Sequence, residues 1–556
     1  PAGHDIEWVR RCILSAPPLT AGDKARLHAV ERALQTSDTA GAIRLARAAL
    51  SDGVVHPLLL NLRALAFERE GREQDALNDL LQARELAPQD PAIHNALGLT
   101  FARQNRLLEA VSAFEAAAAA KPDFAHAHFN AGWALEALGE LDRARKAYEA
   151  ALVLDPARAE ILGRLASLAA RRGDWNAVRD LAGRALAINR DQNDARLARA
   201  TADIAENHFT NAETALKNML SGGGANAEER YHAFGALGDL HHRQNRFADA
   251  YTAYVQGNRE MHQAAAGRFA PGRTMRPVIG WLDHHFRNTT PWPQTIVAGA
   301  DSEPAKHIFL LGFPRSGTTL LEQILASLPG AISLDEKEAL ADSARAFLAA
   351  PEGLDRLRNL DAAGVRHYRT LYWQRVREFG AAPEGGIFID KHPLHTLKLP
   401  LIARLFPEAK IIFAIRDPRD VVLSCIRRRF RMNAYTYEFL LPDSAASFYS
   451  AYMGVAALFR QKLPLTIAEI RNEDLIADFD SETRRLCAFI GVDWNAQMRN
   501  FTARAQRRAI ATPGATQIMR GLNAESVALW RNYAVALAPI MAPLAPWVEA
   551  FGYPPA

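Results

Sequence analysis

Residues 307–328, HIFLLGFPRSGTTLLEQILASL, decide the fold of the second half of the chain. His307–Gly312 is a short apolar run suited to a buried parallel strand, and LLEQILASL reads as a helix. Strand, glycine-bearing loop and helix together aim backbone N–H groups and a helix N-terminus at a phosphate. Gly312 and Gly317 have the four-residue gap of a nucleotide P-loop, but Thr318 stands where that loop carries its lysine. A kinase or NTPase needs the lysine on the β- and γ-phosphates and a hydroxyl on Mg²⁺. Here Arg315, with Ser316, Gly317, Thr318 and Thr319 beside it, is predicted to grip a terminal diphosphate-like group without a metal. Taken alone, the stretch also fits a strand-to-helix turn with no ligand.

A second apolar run, Lys410–Ile415 (KIIFAI), leads into RDPRDVVLS at 416–424. An arginine fork and a hydroxyl near a helix start suit a dianionic phosphate. Arg427, Arg428, Arg429 and Arg431 follow, so a solvated basic helix is the bland alternative. A third stretch, GATQIMRGLNAESVALWRNY, occupies 514–533. These three pieces, in this order, resemble the sulfotransferases that use 3′-phosphoadenosine 5′-phosphosulfate (PAPS), over residues 305–550. The resemblance implies that PRSGTT is the 5′-phosphosulfate loop, and that Arg416 and Ser424, eight residues apart, bind the 3′-phosphate. It also implies that Arg428 reaches the same phosphate, as in the tyrosylprotein branch of the family. The late stretch would close over the 3′-phosphate and adenine, with Arg520 and Gly521 as the best matches and Trp530 as a packing residue.

Sulfuryl transfer is an in-line displacement in which a base takes the acceptor proton and charge grows on the bridging oxygen. ISLDEKEAL follows the loop helix, and Glu336, 21 residues after Arg315, matches the tyrosylprotein base. Its neighbours Asp335 and Glu338 are rivals, and a solvated acidic helix start is the alternative. A base here is expected to have its carboxyl pushed up by burial. Lys391, in IFIDKHP, matches the lysine near the bridging oxygen in that branch; Asp390 or His392 would contact the acceptor, and His392 is the rival base of the cytosolic type. Asn472 stands where the family usually has a tyrosine near the adenine, and Thr512 is the candidate for a family hydroxyl near the bridging oxygen.

The first half repeats. Pro88, Pro122 and Pro156 lie 34 residues apart, as do Gly71, Asn105, Gly139, Gly173 and Asn207. Small residues recur in phase at Ala42, Ala76, Ala110, Ala144 and Ala212, and Ala64, Gly98, Gly132 and Ala166 form another column. Each unit reads as a helix, a tight turn at Gly or Asn, a second helix and a stop near Pro. The pattern resembles the tetratricopeptide repeat (TPR) family. It predicts a helical cap at 1–23, about seven units over 24–263 with a four-residue insertion near 221–224, and a connector at 264–304. The expected fold is an all-α TPR solenoid followed by a three-layer P-loop-type α/β domain, 305–556, with a mainly parallel sheet. Such arrays bind a protein or peptide on a concave face. His126, His128 and Asn130 are expected to line that groove or face solvent rather than bind metal.

Composition narrows the functions further. The net charge is +4 on 556 residues, so no nucleic-acid coating is expected. The arginines at 427–431 suit an acidic acceptor or, equally, a solvated face. Three distant cysteines, Cys12, Cys425 and Cys487, suit a reducing compartment, and PAGHDIEWVRRC at the start has no apolar signal region, so the expectation is cytoplasmic. No run is long enough to span a membrane. The sequence thus predicts a PAPS-dependent sulfotransferase without a metal. Its acceptor hydroxyl is on a protein tyrosine, a carbohydrate or a lipid. The alternative is a non-catalytic TPR scaffold with a nucleotide-binding C-terminal domain.

Overall fold

The computed structural model describes residues 20–269, 272–293, 304–382, 385–502 and 521–555. Its first part is built of antiparallel helix pairs: α1 (Ala21–Gln35) with α2 (Thr39–Ser51), α3 (Pro57–Arg69) with α4 (Glu73–Leu86), α5 (Pro91–Arg103) with α6 (Leu107–Ala120). The series continues with α7 (Ala125–Ala137) and α8 (Leu141–Leu154), α9 (Ala159–Arg172) and α10 (Trp175–Ile188), then α11 (Asn193–Ala205), α12 (Phe209–Ser221), α13 (Ala227–Arg243) and α14 (Phe247–Ala265).

The turn between partners needs left-handed backbone, and this selects its residues. Ser37, Gly71, Asn105, Gly139, Gly173, Asn207 and Asn245 all adopt φ between +58° and +80°. The 34-residue column therefore extends one turn beyond each end recognised in the sequence, and the last step, Asn207 to Asn245, carries the insertion. Within a pair the helices approach over a missing side chain. A Cβ on Gly98 would stand 2.5 Å from the Phe114 ring, and one on Gly132 would stand 2.7 Å from Tyr148. The in-phase alanines Ala42, Ala76, Ala110, Ala144, Ala212 and Ala250 are fully buried.

The chain divides into two units, residues 1–202 and 203–556. Helices α12–α14 thus group with the α/β half. After them comes α15 (Arg276–Asn288), whose Ile279, Leu282 and Phe286 are buried. The sheet has five strands, β1 (Lys306–Gly312), β2 (Ala331–Asp335), β3 (Ile387–Lys391), β4 (Lys410–Ile415) and β5 (Thr466–Arg471), in the order β2-β3-β1-β4-β5. Every pairing is parallel. Parallel strands covered on both faces are apolar throughout, and alternation sorts their side chains between two cores. Ile308, Leu310, Ile389 and Ile412 join one core with α16 (Thr318–Leu325). Phe309, Leu311, Phe388, Ile411 and Phe413 join the other. That second core is covered by α17 (Ala341–Phe347), α18 (Glu352–Arg358), α19 (Ala362–Glu378), α20 (Leu399–Leu405), α21 (Pro418–Arg427) and α22 (Pro442–Lys462). The result is a three-layer α/β domain with a parallel sheet. Among the described residues no helix is long and apolar enough to cross a membrane.

Candidate active site

The strand order places β1 beside β4, so the loops leaving their C-terminal ends meet. This is where parallel α/β sheets bind their ligands. After β1, Arg315 (φ +72°) and Gly317 (φ +92°) turn the chain sharply into α16, which begins at Thr318. Gly317 is required here by contact as well as by φ. A Cβ on it would stand 2.5 Å from the Asn472 side-chain oxygen, so Asn472 props the loop from behind. Ser316 and Thr318 are buried, and Thr319 is half-buried in the first turn.

The two motifs read from the sequence touch. Arg315 Nε donates to Ser424 Oγ at 3.1 Å, and Arg416 Nη1 donates to the Arg315 carbonyl at 3.2 Å. Arg416 Nη2 reaches the Ser526 carbonyl at 2.5 Å, which brings in the late stretch. Gly521 opens the described part of that stretch with φ +85°. Arg520 and Thr512 lie outside the described residues. Burial and the neighbouring Arg428 and Arg416 charges pull the Arg315 guanidinium down to about 10. Among the described residues, buried Arg416 Nε has no hydrogen-bond partner. Two guanidiniums joined through a hydroxyl and a loop carbonyl, with the Arg428 charge nearby and a helix N-terminus beside them, are an arrangement chemically suited to an anion of more than one charge. Trp530 packs, as expected: its amide donates to Asp420 at 2.7 Å and Arg419 stacks 3.9 Å over its ring.

The second cluster lies one strand away. Lys391 ends β3, in register with Leu310 of β1. Its ammonium is fully buried among three carboxylates: Glu336 at 2.8 Å, Asp335, and Glu322 at 3.9 Å. Burial disfavours that charge, but Asp335, Glu336 and Glu322 overcome it and keep Lys391 ionised. Glu336 follows β2, with φ +49° and its amide donating to the Lys391 carbonyl at 2.8 Å. Crowding pushes its carboxyl up, yet Lys391, His392 and Arg315 outweigh this, and the net direction is down. The sequence-based expectation of a raised carboxyl is therefore reversed, because the lysine sits against it.

Glu338 holds a third cluster. Its carboxylate meets His392 Nε2 at 3.3 Å, His395 Nε2 at 3.6 Å, and the Lys398 ammonium. Burial would raise this carboxyl, but His392, His395 and Lys398 hold it well below the usual range. Among the described residues, Glu338, His392 and His395 are the three side chains whose ligand atoms come within metal-binding reach of one another. Two features suit an ion poorly: Lys398 already compensates the carboxylate, and the His392 and His395 rings stack at 4.1 Å in nearly parallel planes. Sequence reading missed this group because His395 and Lys398 carry no motif.

Asp390, an expected acceptor contact, is instead turned into the core. It is fully buried and accepts from the Tyr372 hydroxyl at 2.8 Å. The reason is alternation along β3, which sends Asp390 and Lys391 to opposite faces. Burial pushes its carboxyl up to about 6. A folded-state value above the unfolded one favours the protonated form, so its contribution to stability is lost as pH rises through about 6. Asp390→Asn should therefore gain stability relative to wild type between about pH 4 and about pH 6. Thermal melts across that window check this, and parallel curves for the two proteins would refute it. Of the arginines at 427–431, two lie against tyrosine rings. Arg427 lies 5.7 Å from the ring centres of both Tyr254 and Tyr533. Arg429 lies 5.1 Å from Tyr231 and 5.2 Å from Tyr254. Their charges are spent on aromatic faces.

Residues 307–496 match the sulfotransferase family model, and residues 28–91, 95–159 and 129–194 match the tetratricopeptide repeat model. The chain carries a sulfotransferase domain behind a TPR array. An uncharacterized protein of Aquifex aeolicus is 25% identical over 280 residues, which is 47% of this chain and 36% of that protein. Protein-tyrosine sulfotransferase 1 of Danio rerio is 24% identical over 268 residues, 45% of this chain and 72% of its own. Among solved structures, the sulfotransferase domain of the Synechococcus PCC 7002 olefin synthase matches at 23% identity and TM-score 0.34, over 48% of this chain and 99% of that one. The sulfotransferase match begins at the first residue of the apolar run that opens the P-loop motif and takes in Glu336, Lys391, Arg416, Ser424 and Arg428. The TPR match ends at residue 194, before α13 and α14, whose phase is shifted by the insertion.

Proposed function

We propose that the sulfotransferase domain moves a sulfuryl group from PAPS to an acceptor hydroxyl, with a protein tyrosine as the first acceptor class to test. The observation that carries this is the meeting of Arg315, Arg416, Ser424 and the 428 segment around a P-loop that lacks the nucleotide-binding lysine. In this reading Ser316, Gly317, Thr318 and Thr319 hold the 5′-phosphosulfate. Arg416, Ser424 and Arg428 hold the 3′-phosphate, and Gly521 with Arg520 closes over it. A 5′-phosphosulfate and a 3′-phosphate on one ribose explain why cations gather at the ends of both β1 and β4. PAPS supplies the activated sulfuryl group.

Glu336 takes the acceptor proton as general base. It suits the task because Lys391 keeps it deprotonated at neutral pH, although the same lowering reduces its basicity. Lys391 answers charge that grows on the leaving group, since a buried, permanently ionised ammonium needs no reorganisation to do so. Tyrosine as acceptor draws support from the Danio rerio relative and from the repeat array, a kind of scaffold that presents a polypeptide-binding face. A reducing, cytoplasmic compartment suits Cys425 and Cys487, which are buried free thiols.

One observation favours the second reading, a scaffold that binds nucleotide without turnover: Glu336 and Lys391 are already engaged with each other. Calorimetry of adenosine 3′,5′-bisphosphate (PAP) against ADP, with and without Mg²⁺, tests the donor site. The expected result is metal-independent preference for PAP, with Arg416→Ala weakening PAP by about 100-fold, the scale of a charge-assisted fork lost from a phosphate. Equal affinity for ADP, or dependence on Mg²⁺, would overturn the assignment. Transfer of ³⁵S-labelled sulfate into tyrosine-containing peptides separates enzyme from scaffold. Incorporation only into carbohydrate or lipid would move the acceptor class.

A further inference from the structure

The last helix pair of the array, α13–α14, departs from the others in where its side chains are spent. At one phase of the second helix the three preceding repeats carry Leu152, Leu186 and Leu220, and the last carries Asn258. Asn258 is 1% exposed, and its amide donates to the Ile426 carbonyl at 3.0 Å, at the end of α21. Two residues on, the Tyr231 hydroxyl donates to the Arg428 carbonyl at 3.3 Å and accepts from the Phe430 amide at 3.2 Å. Arg429 is caged between the Tyr231 and Tyr254 rings, and a Cβ on Gly235 would stand 2.2 Å from its Nη1. Ala250, Tyr254 and Val255 of α14 are part of the same buried core as β1, β3 and β4.

Three successive backbone points, at 426, 428 and 430, are thus fixed by the repeat pair. Arg428 itself ends α21 in an extended conformation (φ −96°, ψ 145°). Between Arg427 and Arg429, the Arg428 side chain is half-buried, with Asp239 and Tyr254 of the same helix pair among the groups beside it. The helix it terminates carries Ser424, which contacts Arg315 of the phosphate loop. Arg428 is also the largest charge acting on Arg315. A helix end left to itself frays, and a fraying end would not hold an arginine fork on a phosphate.

We propose that α13–α14 is a working part of the donor site, in which Tyr231 and Asn258 are positioning residues that aim Arg428 at the 3′-phosphate; this rests on the PAPS reading above. Neither residue touches the nucleotide. Their effect runs through Arg428 alone, which makes the proposal separable from a loss of fold.

The test uses the full chain and calorimetric affinities for PAP and for ADP, which lacks the 3′-phosphate. Tyr231→Phe keeps the ring that cages Arg429 and removes both hydrogen bonds. It should weaken PAP by about tenfold, the scale of one to two hydrogen bonds, and leave ADP unchanged. Asn258→Ala should act in the same direction. In an Arg428→Ala background, Tyr231→Phe should have no further effect on PAP, because the residue it positions is gone. PAP and ADP weakening together, or full additivity with Arg428→Ala, would overturn the proposal and leave the pair as ordinary packing. A wild type with no preference for PAP would instead sink the donor assignment itself.

Discussion

Lys391→Ala is expected to destabilise the sulfotransferase domain by about 3 kcal/mol, the lower end of the range for breaking a buried ion pair. The ammonium is fully buried and shared by Asp335, Glu336 and Glu322, so its removal leaves three carboxylates facing one cavity. The lower end applies because Asp335 and Glu336 keep 21% and 44% of their side-chain surface exposed, and water can relax around them. Burial cannot be the whole reason for keeping the cluster, since apolar side chains replacing the lysine and its carboxylates together would fill the space at lower cost. The sign with pH follows. Glu336 has a lowered folded-state value, so its pairing stabilises the fold above its ordinary range and is lost as pH falls through the lowered value. Urea unfolding at neutral and acid pH checks both statements. Stability equal to wild type at pH 7 would mean that the carboxylates repack without the cation. Lys391→Met, which refills the volume but not the charge, should remain less stable than wild type if the charge matters.

Glu336→Gln is expected to lower kcat by about a thousandfold, within the usual range for a positioned base, while PAP affinity stays within about threefold. The amide keeps the shape and can still accept from Lys391, so the fold at β2 should survive. What is lost is the proton acceptor. Because Lys391 holds the carboxyl below the ordinary carboxylate range, wild-type kcat should stay flat as pH falls from 7 to about 5. A fall of kcat within that window would remove Glu336 as the base and leave His392 as the rival. Unchanged kcat in Glu336→Gln would remove Glu336 from the chemistry and leave it as a positioning partner of Lys391. Glu338 is the other carboxylate rival; held by His392, His395 and Lys398 well below the usual range, it is a poor acceptor of a proton.

The legibility of this chain differs between its parts for a physical reason. Repeat turns and phosphate loops depend on backbone conformations that few residues tolerate. Each therefore leaves a mark in the sequence: the Gly and Asn column at positive φ, and Gly317 packed against Asn472. Strand burial is equally legible, because parallel strands covered on both faces must be apolar throughout. Charge is not. Arg427–Arg431 read as a basic surface, yet an arginine stacked on Tyr231 or Tyr254 is spelled the same way as a solvated one. Asp390 and Lys391 are neighbours in one motif, and only the pleat of β3 shows that one enters the core and the other the carboxylate nest.

By itself, then, the sequence determined the repeat period, the parallel α/β domain and the tight turn after its first strand, because each is set by steric rules acting over a few residues. Only the tertiary structure decided that Glu336 and Lys391 are paired, that Glu338 is clamped by His392, His395 and Lys398, and that α13–α14 pins the segment bearing Arg428. Those facts depend on which distant charges come within a few ångströms of each other, and electrostatic interactions at that range change protonation and role without changing a single residue.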